Sequence, residues 1–141
     1  LHIAAMYLPS LVTGALLDKF GRNVMIVAAS VTLFLSGVIA ALSPANSLIG
    51  ITIALILLGL GWNFGLISGT ALIIDGTTMT TRAKVQGMTD VWIAISGASA
   101  GLLSGIFMDM STYGTLAFVG GLIGFVLFPL LFWVTKRSQP V

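Results

Sequence analysis

The sequence predicts an all-α protein built as a polytopic bundle of transmembrane helices. Of its 141 residues, 57% are hydrophobic and only 7% are charged, and the mean hydropathy is +1.12. A soluble globular domain carries about 25% charged residues, so the composition excludes that class. The apolar residues form long runs separated by short polar connections, and about 20 apolar residues are enough for a helix to cross a bilayer.

Five apolar runs predict five helices, of which the last four are complete spans. The runs are residues 1–17, 24–42, 48–74, 85–108 and 115–134. The first run is short and contains Pro9, so we expect it to be the inner part of a helix that starts earlier in a longer protein. After the third run, Asp75-Gly76 predicts a helix end, because glycine tolerates the left-handed conformation that often follows a helix. The chain is thus expected to be one fragment of a single transmembrane domain.

The basic residues alternate between connections, which predicts the orientation in the membrane. They occur as three pairs, Lys19 with Arg22, Arg82 with Lys84, and Lys136 with Arg137. The connections at 43–47 and 109–114 contain no basic residue. Because cytoplasmic loops are enriched in Lys and Arg, the paired connections and the C-terminus are predicted to be cytoplasmic. We interpret the net charge of +2 as topology, with no nucleic acid as partner.

A charged stretch between the first two runs carries the most specific pattern in the chain. Its sequence is Gly14-Ala15-Leu16-Leu17-Asp18-Lys19-Phe20-Gly21-Arg22-Asn23, here called the signature loop. It resembles the loop Gly-x-Leu-x-Asp-Arg/Lys-x-Gly-Arg of the major facilitator superfamily. The matching residues are Gly14, Leu16, Asp18, Lys19, Gly21 and Arg22. Asn23 departs from the pattern, because the family has a further basic residue there.

The chemistry of the signature loop suggests two roles. Gly14 is small enough for neighbouring helices to approach closely, and Gly21 can adopt a positive φ at the chain reversal. Asp18 can accept hydrogen bonds from free backbone N–H groups and from Arg22. The loop could hold two helical units together in one conformation and release them in another, as the resemblance implies. It could equally be a solvated turn that follows the positive-inside rule.

The resemblance implies a secondary active transporter that moves a small molecule by alternating access between two six-helix halves. This chain would be helices eight to twelve of the C-terminal half, with helices two to six as the alternative, and its partners would be the lipid bilayer and the missing N-terminal half. Proton-coupled efflux of drug-like or metabolite solutes across the cell inner membrane is the favoured function. Uptake of a sugar or metabolite, or a non-transporting assembly subunit, are alternatives. No catalytic pair, cofactor motif or metal-ligand spacing occurs in the sequence, so we expect no enzyme activity, cofactor or metal.

The third run provides the main candidates for lining a substrate path. Small residues occupy one face of this helix, namely Gly61, Gly65, Ser68 and Gly69. The roughly opposite face carries Thr52, Gly59, Asn63 and Thr70. Such a helix has little surface left for lipid, so Asn63 near the bilayer midplane, Thr70 and the neighbouring Trp62 are predicted to line the path. Asn63 could instead hydrogen-bond a neighbouring helix. The runs 24–42 and 115–134 are bulkier and are expected to be peripheral.

Two isolated ionisable residues complete the set of candidates. Asp90 lies inside an apolar run, where an acid is costly unless it is paired, protonated or hydrated. It could pair with Arg22 or Lys19, or hydrogen-bond Gln86, in a structural role. Alternatively it could carry a coupling proton, because burial favours the neutral form of a carboxyl. His2 shares a helix face with Met6, Pro9 and Thr13 and could contact a proton or the substrate.

Overall fold

In a computed structural model, which describes residues 1–44, 46–126 and 129–130, the chain folds into a bundle of α-helices. The helices are α1 (His2–Tyr7), α2 (Ser10–Phe20), α3 (Arg22–Leu42), α4 (Leu48–Asp75), α5 (Met79–Met110) and α6 (Tyr113–Phe125). Four helical segments of the described chain are long and apolar enough to cross a membrane: His2–Phe20, Arg22–Leu42, Leu48–Asp75 and Met79–Met110. The predicted all-α transmembrane class is confirmed.

The first span bends where α1 meets α2. Pro9 lacks the N–H group that would donate within a continuous helix, and α1 ends at Tyr7 while α2 starts at Ser10. The helix resumes at once, since the Thr13 N–H donates to the Pro9 carbonyl at 2.7 Å. The bend frees backbone carbonyl groups near Tyr7, and in lipid these need other donors.

A single residue connects α2 to α3. Gly21 has φ 84° and ψ 163°, and its N–H donates to the Leu17 carbonyl at 2.9 Å. The predicted positive φ of Gly21 is confirmed, and no other described residue has one. The turn is tighter than the sequence pattern suggests, because Asp18 and Lys19 belong to the last turn of α2 and Arg22 already starts α3.

Helix α3 is the most buried helix of the described chain, so its predicted peripheral position is wrong here. It packs against α4 on one side and α6 on another, and its buried residues include Ala29, Ser30, Ser36 and Gly37. These residues are small, which lets both neighbours approach closely. A Cβ atom on Gly37 would lie 2.7 Å from the Cα atom of Gly121 in α6.

The small face of α4 packs against α3. A Cβ atom on Gly61 would lie 2.7 Å from the Leu33 side chain, and one on Gly65 would lie 3.8 Å from Ala29. Across the same interface the Ser36 hydroxyl donates to the Ala54 carbonyl at 2.7 Å. At Gly61 and Gly65 the small-residue stripe therefore serves helix packing, as its spacing indicates.

Helix α4 ends at Asp75, as the Asp75-Gly76 pair predicts, although Gly76 does not use the left-handed conformation. Gly76 has φ −87° and ψ 0°, a conformation open to other residues, and its N–H donates to the Leu72 carbonyl at 3.0 Å. Helix α5 starts at Met79, six residues before the predicted run, and has no buried residue. The end of the run 115–134, the pair Lys136 and Arg137, and the C-terminus lie outside the described residues.

Candidate functional site

Asn63 joins α4 to the bend in the first span. Its Nδ2 donates to the Met6 carbonyl at 2.7 Å and to Ser10 Oγ at 3.1 Å, while Thr13 Oγ1 donates to its Oδ1 at 2.5 Å. The Ser10 hydroxyl in turn donates to the Tyr7 carbonyl at 2.5 Å. We call these residues the Asn63 network. It supplies hydrogen-bond donors to carbonyls that lie beside Pro9.

The chemistry of the amide fixes the orientation of Asn63. The Met6 carbonyl only accepts hydrogen bonds, so the NH₂ group faces it and Oδ1 faces the Thr13 hydroxyl. Both amide hydrogens and one of two acceptor positions are then used. Asn63 is 2% exposed and Thr13 0% exposed. Asn63 therefore bonds neighbouring helices, the second of the two roles its position suggested, and has almost no free surface.

His2 and Trp62 border a cavity that adjoins the Asn63 network at Met6. The cavity has a volume of about 220 Å³ and is lined by His2, Met6, Leu33, Leu58 and Trp62. The Nδ1 atom of His2 lies 2.8 Å from the Leu55 carbonyl oxygen, so Nδ1 carries the proton of that hydrogen bond. Trp62 is 41% exposed. This group is called the His2–Trp62 cavity.

Gly59 sets the position of His2. A Cβ atom at Gly59 would lie 2.6 Å from the His2 carbonyl oxygen and 2.9 Å from Ala5 Cβ. The absence of a side chain therefore allows α1 to approach α4 closely enough for the His2–Leu55 hydrogen bond. The sequence placed Gly59 on the polar face with Asn63, and the structure shows that both face the first span.

Thr70 and Asp90 meet in a different place, between α4 and α5. With Gln86 and Thr89 they line a pocket of about 110 Å³ whose α4 wall includes Gly65 and Gly69. Thr89 Oγ1 donates to the Val85 carbonyl at 2.9 Å. Asp90 is exposed and makes no hydrogen bond or ion pair with another described residue. We call this group the Thr70–Asp90 pocket.

Arg22 of the signature loop pairs with Asp75, not with Asp90. Its Nε lies 2.6 Å from Asp75 Oδ2, and its Nη2 donates to Asp75 Oδ1 at 3.1 Å. This two-point geometry joins the start of α3 to the end of α4. The expected pairing of Asp90 with Arg22 or Lys19 is therefore wrong for the described chain. The sequence could have predicted the Arg22–Asp75 pair, since two consecutive antiparallel spans place the start of the first beside the end of the second.

The other residues of the signature loop are less constrained. Asp18 is exposed, and Arg22 is committed to Asp75, so the expected Asp18–Arg22 bond is absent. Lys19 Nζ lies 5.3 Å from the centre of the Phe20 ring. A Cβ atom on Gly14 would meet nothing within 4 Å among described atoms, so no helix approaches it closely in this part of the chain.

Arg82 stabilises the same end of α4 that Asp75 occupies. Its Nη2 donates to the Ile74 carbonyl at 3.2 Å, and its Nη1 contacts Met79 Sδ at 3.4 Å. A cation beside the last carbonyls of a helix satisfies free acceptors and offsets the negative end of the helix dipole. Two arginines from different connections thus converge on the end of α4.

Three relatives match the chain along nearly its whole length. It is 57% identical over 136 residues to "Uncharacterized MFS-type transporter YdeG" and 52% identical over 139 residues to "Uncharacterized MFS-type transporter YddS", both of Bacillus subtilis (strain 168). By sequence, the chain belongs to the major facilitator superfamily. The two matches include 96% and 99% of this chain. They include only 32% of each relative, so the chain spans about a third of the relatives' length.

A third, more distant relative is named for its cargo. The riboflavin transporter RfnT of Brucella anthropi is 34% identical over 136 residues, which are 92% of this chain and 32% of that protein. No protein-family model matches the chain. No solved structure matches it either. The resemblance of the signature loop to the superfamily is confirmed by these relatives, and the chain corresponds to one part of such a protein.

Proposed function

We propose that the protein containing this chain is a secondary active transporter that moves a small molecule across the membrane by alternating access. The observation that carries the proposal is the identity of 52–57% with two proteins named as transporters, over nearly the full chain. In this proposal the chain supplies helices eight to twelve, with helices two to six as the alternative register. The remaining two thirds of the relatives' length would supply the other half.

The Arg22–Asp75 pair is proposed to stabilise one of the two conformations. It joins the single-residue turn at Gly21 to the end of α4, and both side chains are partly exposed, at 40% and 47%. An ion pair this exposed contributes only about 0.2–1 kcal/mol. Such a pair can be broken and reformed during a transport cycle, which is what the conformation-holding role of the signature loop requires.

Asp90 is proposed to bind the coupling proton. Asp90 lies about 16 Å along α5 from Met79, at a rise of 1.5 Å per residue. It forms no ion pair with a described residue, and Arg82 is engaged at the end of α4. An acid within a span that lacks a basic partner is best accommodated by a proton or by water. The neighbouring hydroxyl and amide groups of Thr70 and Gln86 can hydrogen-bond the carboxyl in either state.

The favoured mode is proton-driven antiport, and the favoured direction is export of drug-like or metabolite solutes. The protein would lie in the cell inner membrane with its C-terminus in the cytoplasm. The name of the riboflavin transporter favours a second candidate, transport of a flavin-like metabolite. Sugar uptake, or assembly without transport, remain the alternatives. The alternation of basic connections supports the orientation.

The test uses the full-length protein in proteoliposomes with a pH gradient. The solutes are riboflavin and a panel of radiolabelled drug-like compounds, and we expect proton-driven flux of at least one. Asp90→Asn should abolish the stimulation by the pH gradient while exchange of solute across the membrane persists. Asp109→Asn, the same change near the C-terminal end of α5, is the control and should leave coupling unchanged.

Two results would contradict the proposal. Folded wild-type protein that carries none of the solutes would count against transport. Unaltered proton coupling in Asp90→Asn, with reduced stability, would assign Asp90 a structural role instead.

A further inference from the structure

We propose that the His2–Trp62 cavity binds a planar aromatic ring system that carries an N–H or O–H donor. This inference rests on the proposed transport function and names the chemical class of the cargo. The cavity is separate from the Thr70–Asp90 pocket, with which it shares no lining residue. The two sites therefore divide the work between cargo recognition and proton binding.

The lining of the cavity favours an apolar occupant. Four of its five lining residues are apolar or aromatic, and His2 is its one titratable side chain. An ordered water needs two to four polar partners, which these side chains do not provide. An aromatic ring is suited to the space, because Trp62 and Met6 can both form favourable contacts with it.

The cavity is open to the surface, and its volume indicates the size of the group that it can hold. An apolar cavity of about 150 Å³ holds one benzene ring, whereas this cavity measures about 220 Å³. A fused two-ring system fits that volume better than a single ring. A complete ligand site in a protein usually measures about 300–1,000 Å³, so the cavity would hold the ring portion of a larger cargo.

His2 adds a directional requirement. Because its Nδ1 donates to the Leu55 carbonyl, the neutral imidazole has Nε2 as an acceptor. The hydrogen bond to Leu55, which the close approach of α1 at Gly59 allows, orients the imidazole ring. A ring that offers N–H or O–H to Nε2 would therefore bind more tightly than a ring in which that donor is methylated.

The experiment compares benzimidazole with 1-methylbenzimidazole, binding to the full-length protein in nanodiscs at pH 8. The dissociation constants are measured by calorimetry. We expect wild type to prefer benzimidazole by about three- to tenfold, the range of one hydrogen bond. His2→Phe keeps a ring but removes the acceptor, and should reduce that preference to about one.

Trp62 is tested by truncation and by a conservative change. Trp62→Ala should weaken benzimidazole binding by about three- to tenfold, and Trp62→Phe should restore most of it. Trp92→Ala is the matched control, because Trp92 is 64% exposed on α5 and does not line the cavity. It should leave the dissociation constant within twofold of wild type. Thermal unfolding checks that each variant is folded.

The outcomes separate this inference from the proposed transport function. Binding that is unchanged in Trp62→Ala, equally weakened in Trp92→Ala, or indifferent to methylation would overturn the ring site even if the protein transports other solutes. Binding that follows the expected pattern in a protein that carries no solute would leave the ring site standing and refute transport.

Discussion

Replacing Asn63 with alanine should destabilise the protein at the bend of the first span. The change removes three hydrogen bonds, from Nδ2 to Met6 and Ser10 and from Thr13 to Oδ1. It also leaves the Thr13 hydroxyl, which is 0% exposed, without its partner. Interhelical hydrogen bonds in membrane proteins contribute about 0.6 kcal/mol on average. Three of them predict a loss of about 2 kcal/mol.

The expected loss has an upper bound set by the groups that remain. A buried carbonyl or hydroxyl left unpaired costs about 1–3 kcal/mol. Thr13 can avoid that cost, because a threonine hydroxyl can instead donate to the carbonyl four residues earlier, here that of Pro9. We therefore expect a total of about 2–4 kcal/mol, with the larger part arising at Met6.

The assay is reversible unfolding of the full-length protein in mixed micelles with increasing SDS. Asn23→Ala is the matched control, since Asn23 is exposed and makes no hydrogen bond with another described side chain. A double-mutant cycle with Thr13→Val measures the Thr13–Asn63 coupling, expected at about 0.6–1.7 kcal/mol. If Asn63→Ala is as stable as Asn23→Ala, and only the Michaelis constant for solute changes, the structural role given to Asn63 is refuted.

Two further predictions concern packing and orientation. Gly37→Ala should cost about 1–3 kcal/mol by overpacking the contact with α6, while Gly120→Ala, which meets nothing within 4 Å, should be neutral in the same unfolding assay. Single cysteines introduced at positions 23 and 46 of a cysteine-free full-length protein should react with an impermeant maleimide from opposite sides, Asn23→Cys from the cytoplasm and Asn46→Cys from outside. Equal unfolding stability of Gly37→Ala and Gly120→Ala would contradict the packing prediction. Labelling of both cysteines from one side would contradict the orientation.

The class of fold was predictable because it depends on composition and on the length of apolar runs. Lipid forces each apolar run to satisfy its own backbone hydrogen bonds, so a long run in this composition becomes a helix. The conformation of Gly21 was predictable for a similar reason, since the tight reversal needs a positive φ. Asp75-Gly76 correctly marked the end of α4, although Gly76 does not use the left-handed conformation that a glycine tolerates.

Partnerships between helices were harder to predict than the helices themselves. The sequence identified Asn63 and Arg22 as residues that need partners, but Met6, Ser10 and Thr13 become partners only through the bend at Pro9. Helical periodicity assigns a residue to a face without saying which helix covers that face. The same limit explains the error for α3, whose small residues lie on more than one face and admit two neighbours.

The Asp75 partner was missed for a different reason. An acid inside an apolar run is costly and so predicts a buried partner, whereas an acid at the end of a span can be solvated without one. The structure shows that the terminal acid is the one that pairs with Arg22.

The most direct test of the account swaps the charges of Arg22 and Asp75 by mutation. The measured quantity is solute flux through the full-length protein. Arg22→Asp and Asp75→Arg should each lower the flux, because each replaces the ion pair, whose atoms lie 2.6 Å apart, with two like charges. The double variant restores opposite charges and should recover a substantial part of the wild-type rate. Flux that is unaffected by the single changes, or a double variant no better than the worse single one, would contradict the claim that this pair holds one state of a transporter.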